Sequence, residues 1–178
     1  TNENAVIGSY KGVPVAVAIG DNQASFLGAV GDHNKSVYVN IGTGSQVSAV
    51  CDYRELNDEI ELRPFIDKRL LACGSALCGG YAYSMVESFF RCYLADAGLG
   101  VSSQYEILNK LAQNAYDNGE KYLDVDVSFL GKRNAPDRKG SKINIERDNF
   151  TPSALVLGVL RGMCDELYGL YQHFYDKV

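Results

Sequence analysis

Four short segments of the sequence carry residue types that could do chemistry. Gly20-Asp21-Asn22-Gln23 sets a carboxylate beside two side-chain amides. Asp21 directly follows an apolar run, and where a strand of an open α/β sheet passes into a helix, ligands reach the strand end. A carboxylate there can take the proton of a hydroxyl, and Asn22 and Gln23 carry the donor and acceptor pairs that bind sugar hydroxyls. The same aspartate can also serve simply as the N-cap of the helix that follows. In Gly42-Thr43-Gly44-Ser45-Gln46, two glycines free the backbone to bring N–H groups close to a ligand, and Thr43 and Ser45 add hydroxyls. Such a loop can cradle a phosphate, or it can be a plain hairpin turn. No Gly-Lys-Ser/Thr follows, which excludes a Walker loop, and Val47 stands where the dinucleotide fingerprint needs its third glycine. Gly74-Ser75-Ala76-Leu77-Cys78-Gly79-Gly80 leads from a strand into a helix, where glycines either admit a nucleotide or allow close packing. Finally, residues 129–142 gather Lys132, Arg133, Arg138, Lys139 and Lys142. They read as a solvated basic loop, with Arg133 reaching either a phosphate or a partner within the protein.

The elements that must position these segments follow from periodicity. The β-branched run Val13 to Ile19, between Gly12 and Gly20, predicts a buried strand, and a short helix over residues 23–29 follows it. Residues 36–41 and 46–50 predict a hairpin around the Gly42 loop, and residues 60–65 and 69–73 a second strand pair turning near Asp67. The second half is helical. Met85, Val86, Phe89, Phe90, Tyr93 and Leu94 recur at helical spacing, as do Ile107, Leu108, Leu111 and Ala115, with stops at Gly98 and at Asn118-Gly119. Residues 124–149 have little periodicity, and so long an irregular stretch predicts a functional role. Thr151-Pro152 opens a last helix, N-cap then first-turn proline, with Leu157, Leu160, Cys164, Leu167, Tyr171 and Phe174 on one face. Its apolar pattern continues to Val178, which predicts a piece of a longer chain.

Composition bounds the partners. A chain of 178 residues, 46% hydrophobic and 22% charged, fits one globular domain and is too short for most two-lobed enzymes. Lys+Arg number 17 against 22 Asp+Glu, a net charge of −5, so no broad basic field exists for nucleic acid or a membrane surface. The five cysteines form no CxxC pair and predict buried, reduced thiols in a cytoplasmic protein. His33 and His173 lie at no metal-ligand spacing, so no metal site is predicted. No apolar run reaches membrane-spanning length, and Thr1-Asn2-Glu3-Asn4 lacks the pattern of a signal peptide.

Taken in order, the motifs resemble a known family. Pro14 to Ala24, then Val39-Asn40-Ile41-Gly42-Thr43-Gly44-Ser45-Gln46, are similar to the start of the C-terminal lobe of the FGGY carbohydrate kinases. Leu77-Cys78-Gly79-Gly80, Phe129-x-Gly131-x-Arg133-x-x-Pro136 and Asn149-Phe150-Thr151-Pro152 continue the resemblance, which is closest to bacterial sedoheptulokinase-like and xylulokinase-like members. It implies an α/β fold of the actin-like ATPase (ribonuclease H-like) type, a mixed sheet with helices packed on it, forming one lobe of a two-lobed kinase. Residues 1–178 would be a partial C-terminal lobe, without the N-terminal lobe and the C-terminal adenine-loop segment, and inactive alone.

The resemblance further implies ATP-dependent phosphorylation of a sugar, a ketose such as sedoheptulose or xylulose, at a primary hydroxyl, with ATP and Mg²⁺. Asp21 matches the family's catalytic base, and Asn22 and Gln23 would orient sugar hydroxyls. Gly42, Thr43 and Gly44, with Ser45 as helper, match the loop around the ATP phosphates, and Gly74 a glycine near the nucleotide. Cys78 stands where glycerol kinases carry a glutamine, so no nucleotide contact is transferred to it. An alternative is a non-catalytic actin-like module that binds a sugar or nucleotide, and an exposed cleft face offers a route to a homodimer. The kinase reading requires the Asp21 carboxylate and the Gly42-Thr43-Gly44 amides to face one open cleft, and it fails if Asp21 is buried in a cap and the glycine loop points away.

Overall fold

A computed structural model of the protein describes residues 6–54, 57–100 and 102–174. The chain opens with strands β1 (Val6–Tyr10) and β2 (Val13–Ala16), which pair antiparallel. Lys11 and Gly12, both at positive φ (49° and 82°), make the two-residue turn whose twist suits such a hairpin. This ribbon pairs only with itself, so the expected buried strand over residues 13–19 is corrected: regular pairing stops at Ala16, and Val13, Val15, Val17 and Ile19 are exposed. An apolar run states a tendency to be buried; it does not supply the surface that buries it.

Helix α1 (Asp21–Ala29) follows, then a four-stranded sheet of β3 (Val37–Ile41), β4 (Ser45–Cys51), β5 (Ile60–Pro64) and β6 (Leu70–Ala76) in the order β3-β4-β6-β5. The hairpin around the Gly42 loop and the strand pair turning at Asp67 (φ 55°) are as expected. Every pairing in this sheet is antiparallel, a correction to the expected mixed sheet. No α-helix lies between consecutive strands of the sheet, only the 3-10 turn Ile66–Lys68 between β5 and β6, and without a long crossover paired neighbours run antiparallel.

The second half holds α2 (Gly80–Asp96), α3 (Tyr105–Asp117), the short strands β7 (Asp124–Asp126) and β8 (Ser141–Ile143), and α4 (Pro152–Gln172). Thr151 caps α4 as expected, its hydroxyl accepting from Ala154 N–H at 3.2 Å. The described residues end at Phe174, so the predicted continuation to Val178 lies outside them.

Strand alternation divides the core. On one face of the sheet Val47, Ala49, Cys51, Ile60, Ala72 and Ala76 meet Leu167, Leu170 and Phe174 of the α4 segment. On the other, Val50, Leu71 and Cys73 meet Phe26 of α1, which lies edge-on to Tyr38 and Phe65. A further cluster joins α2, α3 and α4 around Val86, Leu108, Val125 and Val159. Gly158 and Gly162 let α4 press against the β7 segment: a Cβ at either would meet the carbonyl of Leu123 or Val125 at 2.2 and 2.1 Å. That stripe shifts the buried face away from Cys164, which is exposed together with Cys92. Cys51, Cys73 and Cys78 are buried free thiols, and burial pushes the Cys73 thiol up to about 11.

Candidate active site

The α1 face of the sheet has an apolar centre and a polar border. Asn40, Gln46 and Ser75 share a row in register next to the Gly42–Gly44 loop, and Glu61 and Arg63 project from β5 on the same side as Phe65. The N-terminus of α1 lies over this border. Gly20 is the extended N-cap and offers no side-chain cap, so Asp21 is not the cap that its position allowed but the first helical residue. Its carboxylate is exposed and accepts from the Asn22 backbone N–H at 2.7 Å. A Cβ at Gly20 would meet Gln23 Oε1 at 2.5 Å, so a larger residue there would displace the Gln23 side chain.

The two expected sugar-binding amides part company. Gln23 Nε2 donates to the Pro64 carbonyl at 3.2 Å, which ties α1 to the end of β5. Asn22 is half-buried over the polar border. The hydrogen-bond network orients its amide so that Oδ1 accepts from Arg63 Nη1 and from Nη2 (3.2 Å), while Nδ2 donates to Gln46 Oε1 at 2.9 Å. Arg63 in turn grips Glu61 through Nε (3.1 Å) and Nη2 (2.6 Å), and the other Glu61 oxygen accepts from Arg133. The Arg63 hydrogen bonds, with Arg133 adding to them, hold the Glu61 carboxyl below its ordinary range. The pKa of Arg63 is raised, chiefly by its hydrogen bonds to Glu61.

The Gly42–Gly44 loop docks on the start of α2. Gly42 O accepts from Gly80 N–H at 2.7 Å, and Thr43 O from Gly79 and Tyr81 N–H at 2.9 and 3.1 Å. The backbone has no cis bond, and in a trans peptide N–H points opposite to C=O. The amides of Thr43 and Gly44 therefore point away from α2, and they make no hydrogen bond among the described residues. Gly79 and Gly80 permit the docking: a Cβ at Gly79 would meet Gly44 O at 2.5 Å and one at Gly80 would meet Gly42 O at 2.8 Å. Of the two readings of this glycine turn, close packing is the one observed. Thr43 is exposed, whereas Ser45 is buried as the first residue of β4. Gly74 lies inside β6 on the α4 face, where a Cβ would meet Leu170 Cβ at 2.8 Å, so its place is in the core.

The basic stretch after Phe129 is tied down. Arg133 pairs with Glu61, Arg138 Nε with Asp126 at 2.8 Å, Lys132 with the mostly buried Glu166 at 3.7 Å, and Asn134 Nδ2 donates to Glu59 at 2.9 Å. Of the alternatives for Arg133, the partner within the protein is the one present. Gln46, Glu61 and Arg63 are site residues that the sequence reading passed over. The alternation Ile60-Glu61-Leu62-Arg63 puts both charges on one strand face, which is a signal of sorts, but which side of the sheet that face serves depends on long-range register. Among the described residues no group of three His, Cys, Asp or Glu could hold a metal ion, and no helix is long and apolar enough to cross a membrane.

Compared with models of known protein families, the sequence matches none. It is 25% identical over 167 residues to a sedoheptulokinase of Mus musculus and 23% identical over 167 residues to that of Homo sapiens, alignments that take in 90% of this chain. The chain spans about a third of the length of these curated relatives, 35% and 34%. In fold it is similar to a xylulose kinase from Rhodospirillum rubrum, with a TM-score of 0.76 at 17% identity over 93% of this chain and 32% of that one. A xylulose kinase from Bifidobacterium adolescentis gives a TM-score of 0.63 at 21% identity, over 86% and 29%. The resemblance carried by the motifs is thus matched twice over: the chain is similar in sequence to part of the sedoheptulokinases and has the α/β fold of the corresponding part of a sugar kinase.

Proposed function

We propose that this chain is the lobe of an ATP-dependent sugar kinase that carries the general base and the phosphate loop, working with a second lobe. The acceptor is a ketose of the sedoheptulose or xylulose class, phosphorylated at a primary hydroxyl. Asp21 takes the hydroxyl proton as that oxygen bonds to the γ-phosphorus and the bond to the ADP oxygen breaks. The outward amides of Thr43 and Gly44 stabilise the charge on the transferring phosphoryl group. A loose transition state releases the proton late, so a positioned, exposed carboxylate can serve as the base. The described residues offer no dedicated metal cage, so Mg²⁺ would come with the ATP phosphates.

The observation that supports this reading is the Asn22–Gln46 hydrogen bond. It joins the residue after Asp21 to the second residue after Gly44, so acid and outward amides share one border of the sheet. Gly74 and the Ser45 hydroxyl have no part in it, because both are buried. The test is Asp21→Asn in a chain carrying both lobes. Turnover should fall ~100-fold or more, with ATP and sugar binding nearly unchanged. Wild-type-like turnover would sink the assignment.

A further inference from the structure

We infer that Arg63 is a positioning residue that fixes the polarity of the Asn22 amide, making Asn22 a hydrogen-bond donor to the sugar; this rests on the kinase reading above. A guanidinium has donors only, so the amide atom that faces Arg63 must be the oxygen. Arg63 is anchored from behind by Glu61 at 2.6 and 3.1 Å, and Glu61 in turn by Arg133. The fork therefore stays put while the amide chooses its orientation. Nδ2 of Asn22 is then turned to Gln46 Oε1 at 2.9 Å, and Gln46 Nε2 points the other way, toward Ser48 Oγ at 3.5 Å.

An amide nitrogen has two N–H groups, and Gln46 takes one. The other remains for a ligand beside Asp21, and Asn22 is only half-buried. The pair is complementary: an acceptor-only carboxylate removes the proton of one hydroxyl, and an N–H donates to the lone pair of a neighbouring sugar oxygen. A flipped amide would present a second acceptor and lose the donor that this oxygen's lone pair needs. Arg63 touches no substrate in this scheme and acts only through Asn22.

The experiment uses the two-lobed chain, with sedoheptulose or D-xylulose as acceptor. Arg63→Met should raise the sugar KM about tenfold or more and leave the ATP KM within about twofold, and Arg63→Lys should recover part of the loss. Asn22→Asp keeps, and strengthens, the pairing with Arg63 but deletes the N–H. It should preserve the melting temperature while raising the sugar KM, and if Arg63→Met does not fold, the sugar KM of the milder Arg63→Lys decides the role of Arg63, an unchanged value overturning it. Added to Asn22→Ala, Arg63→Met should have almost no further effect. Unchanged sugar KM in Arg63→Met and Asn22→Asp, or full additivity in the double variant, overturns the role of Arg63. Asp21→Asn run alongside separates the two failures: if it abolishes turnover the kinase reading stands without Arg63, and if it does not, that reading falls first.

Discussion

On the α4 side of the central sheet, the inward residues Val47, Ala49, Cys51, Ala72, Gly74 and Ala76 are apolar or glycine, and Leu167, Leu170 and Phe174 close over them. On the α1 side the same strands carry the half-buried Gln46 and Ser75 beside the fully buried Ser48, and the covering helix has nine residues where α4 has 21. The closed face buys stability. The half-covered face leaves a border of amides and charges, and along it sit Asp21, Asn22 and the Gly42–Gly44 loop. Helix length therefore decides where chemistry has room: α1 is long enough to bury Phe26 and short enough to leave its own first turn over the polar border.

Truncating the anchor of each face tests that contrast most strongly. Phe26→Ala should cost about 3–5 kcal/mol and Leu170→Ala about 2–5 kcal/mol, read as denaturant midpoints. The faces should then differ in function. Phe26→Ala frees the helix that carries Asp21 and should lower turnover well below the folded fraction, while Leu170→Ala should lose activity only in proportion to unfolding. Equal behaviour would erase the distinction.

A smaller effect is expected from Gly79→Ala, which forces a methyl against the Gly44 carbonyl. It should cost about 1–3 kcal/mol and weaken ATP binding more than sugar binding, whereas Gly42→Ala, with nothing nearer than 3.8 Å, should do neither. Loss of sugar binding first would break the link between this loop and the nucleotide.

Smallest is Glu166→Gln, away from the site. Burial raises the Glu166 carboxyl above its ordinary value and outweighs the attraction of Lys132, and its Oε2 has no partner. A carboxyl raised in the folded state holds its proton more tightly there than in the unfolded chain, so its contribution to stability falls as pH rises through that interval. Glu166→Gln should therefore raise the melting temperature slightly at neutral pH, with the gain fading as pH falls below the carboxylate range. A gain that instead grows in acid would reverse the sign.

Much of this was legible in the sequence, where local rules suffice. The hairpin around Gly42, the turn at Asp67, both middle helices and the Thr151-Pro152 start are written in period, turn and cap residues a few positions apart. What escaped depends on partners far along the chain. Val13 to Ile19 carries the pattern of a buried strand, yet only β1 lies beside it. Gly158 and Gly162 read as gaps in an apolar stripe, because nothing nearby says that the β7 backbone will fill them. Arg63 has no local signal of its role; its long-range contact is with Asn22, 41 positions earlier, which in turn meets Gln46, 17 positions before Arg63. Types and spacing single out Asp21 and the glycine loop, which lie at the surface, and equally Gly74 and Ser45, which are buried.

The docking of the Gly42–Gly44 loop on α2 has an electrical consequence. The peptide units of a helix align to leave roughly half a positive charge at its N-terminus. Here the carbonyls of Gly42 and Thr43 receive the first N–H groups of α2, so those two loop peptides lie in series with the 17-residue helix behind them. The positive end of the macrodipole is thereby carried one peptide layer further out and emerges at the amides of Thr43 and Gly44. A chain with net charge −5 thus presents an anion with a focused positive pole made of backbone alone, one that no change of pH can titrate away.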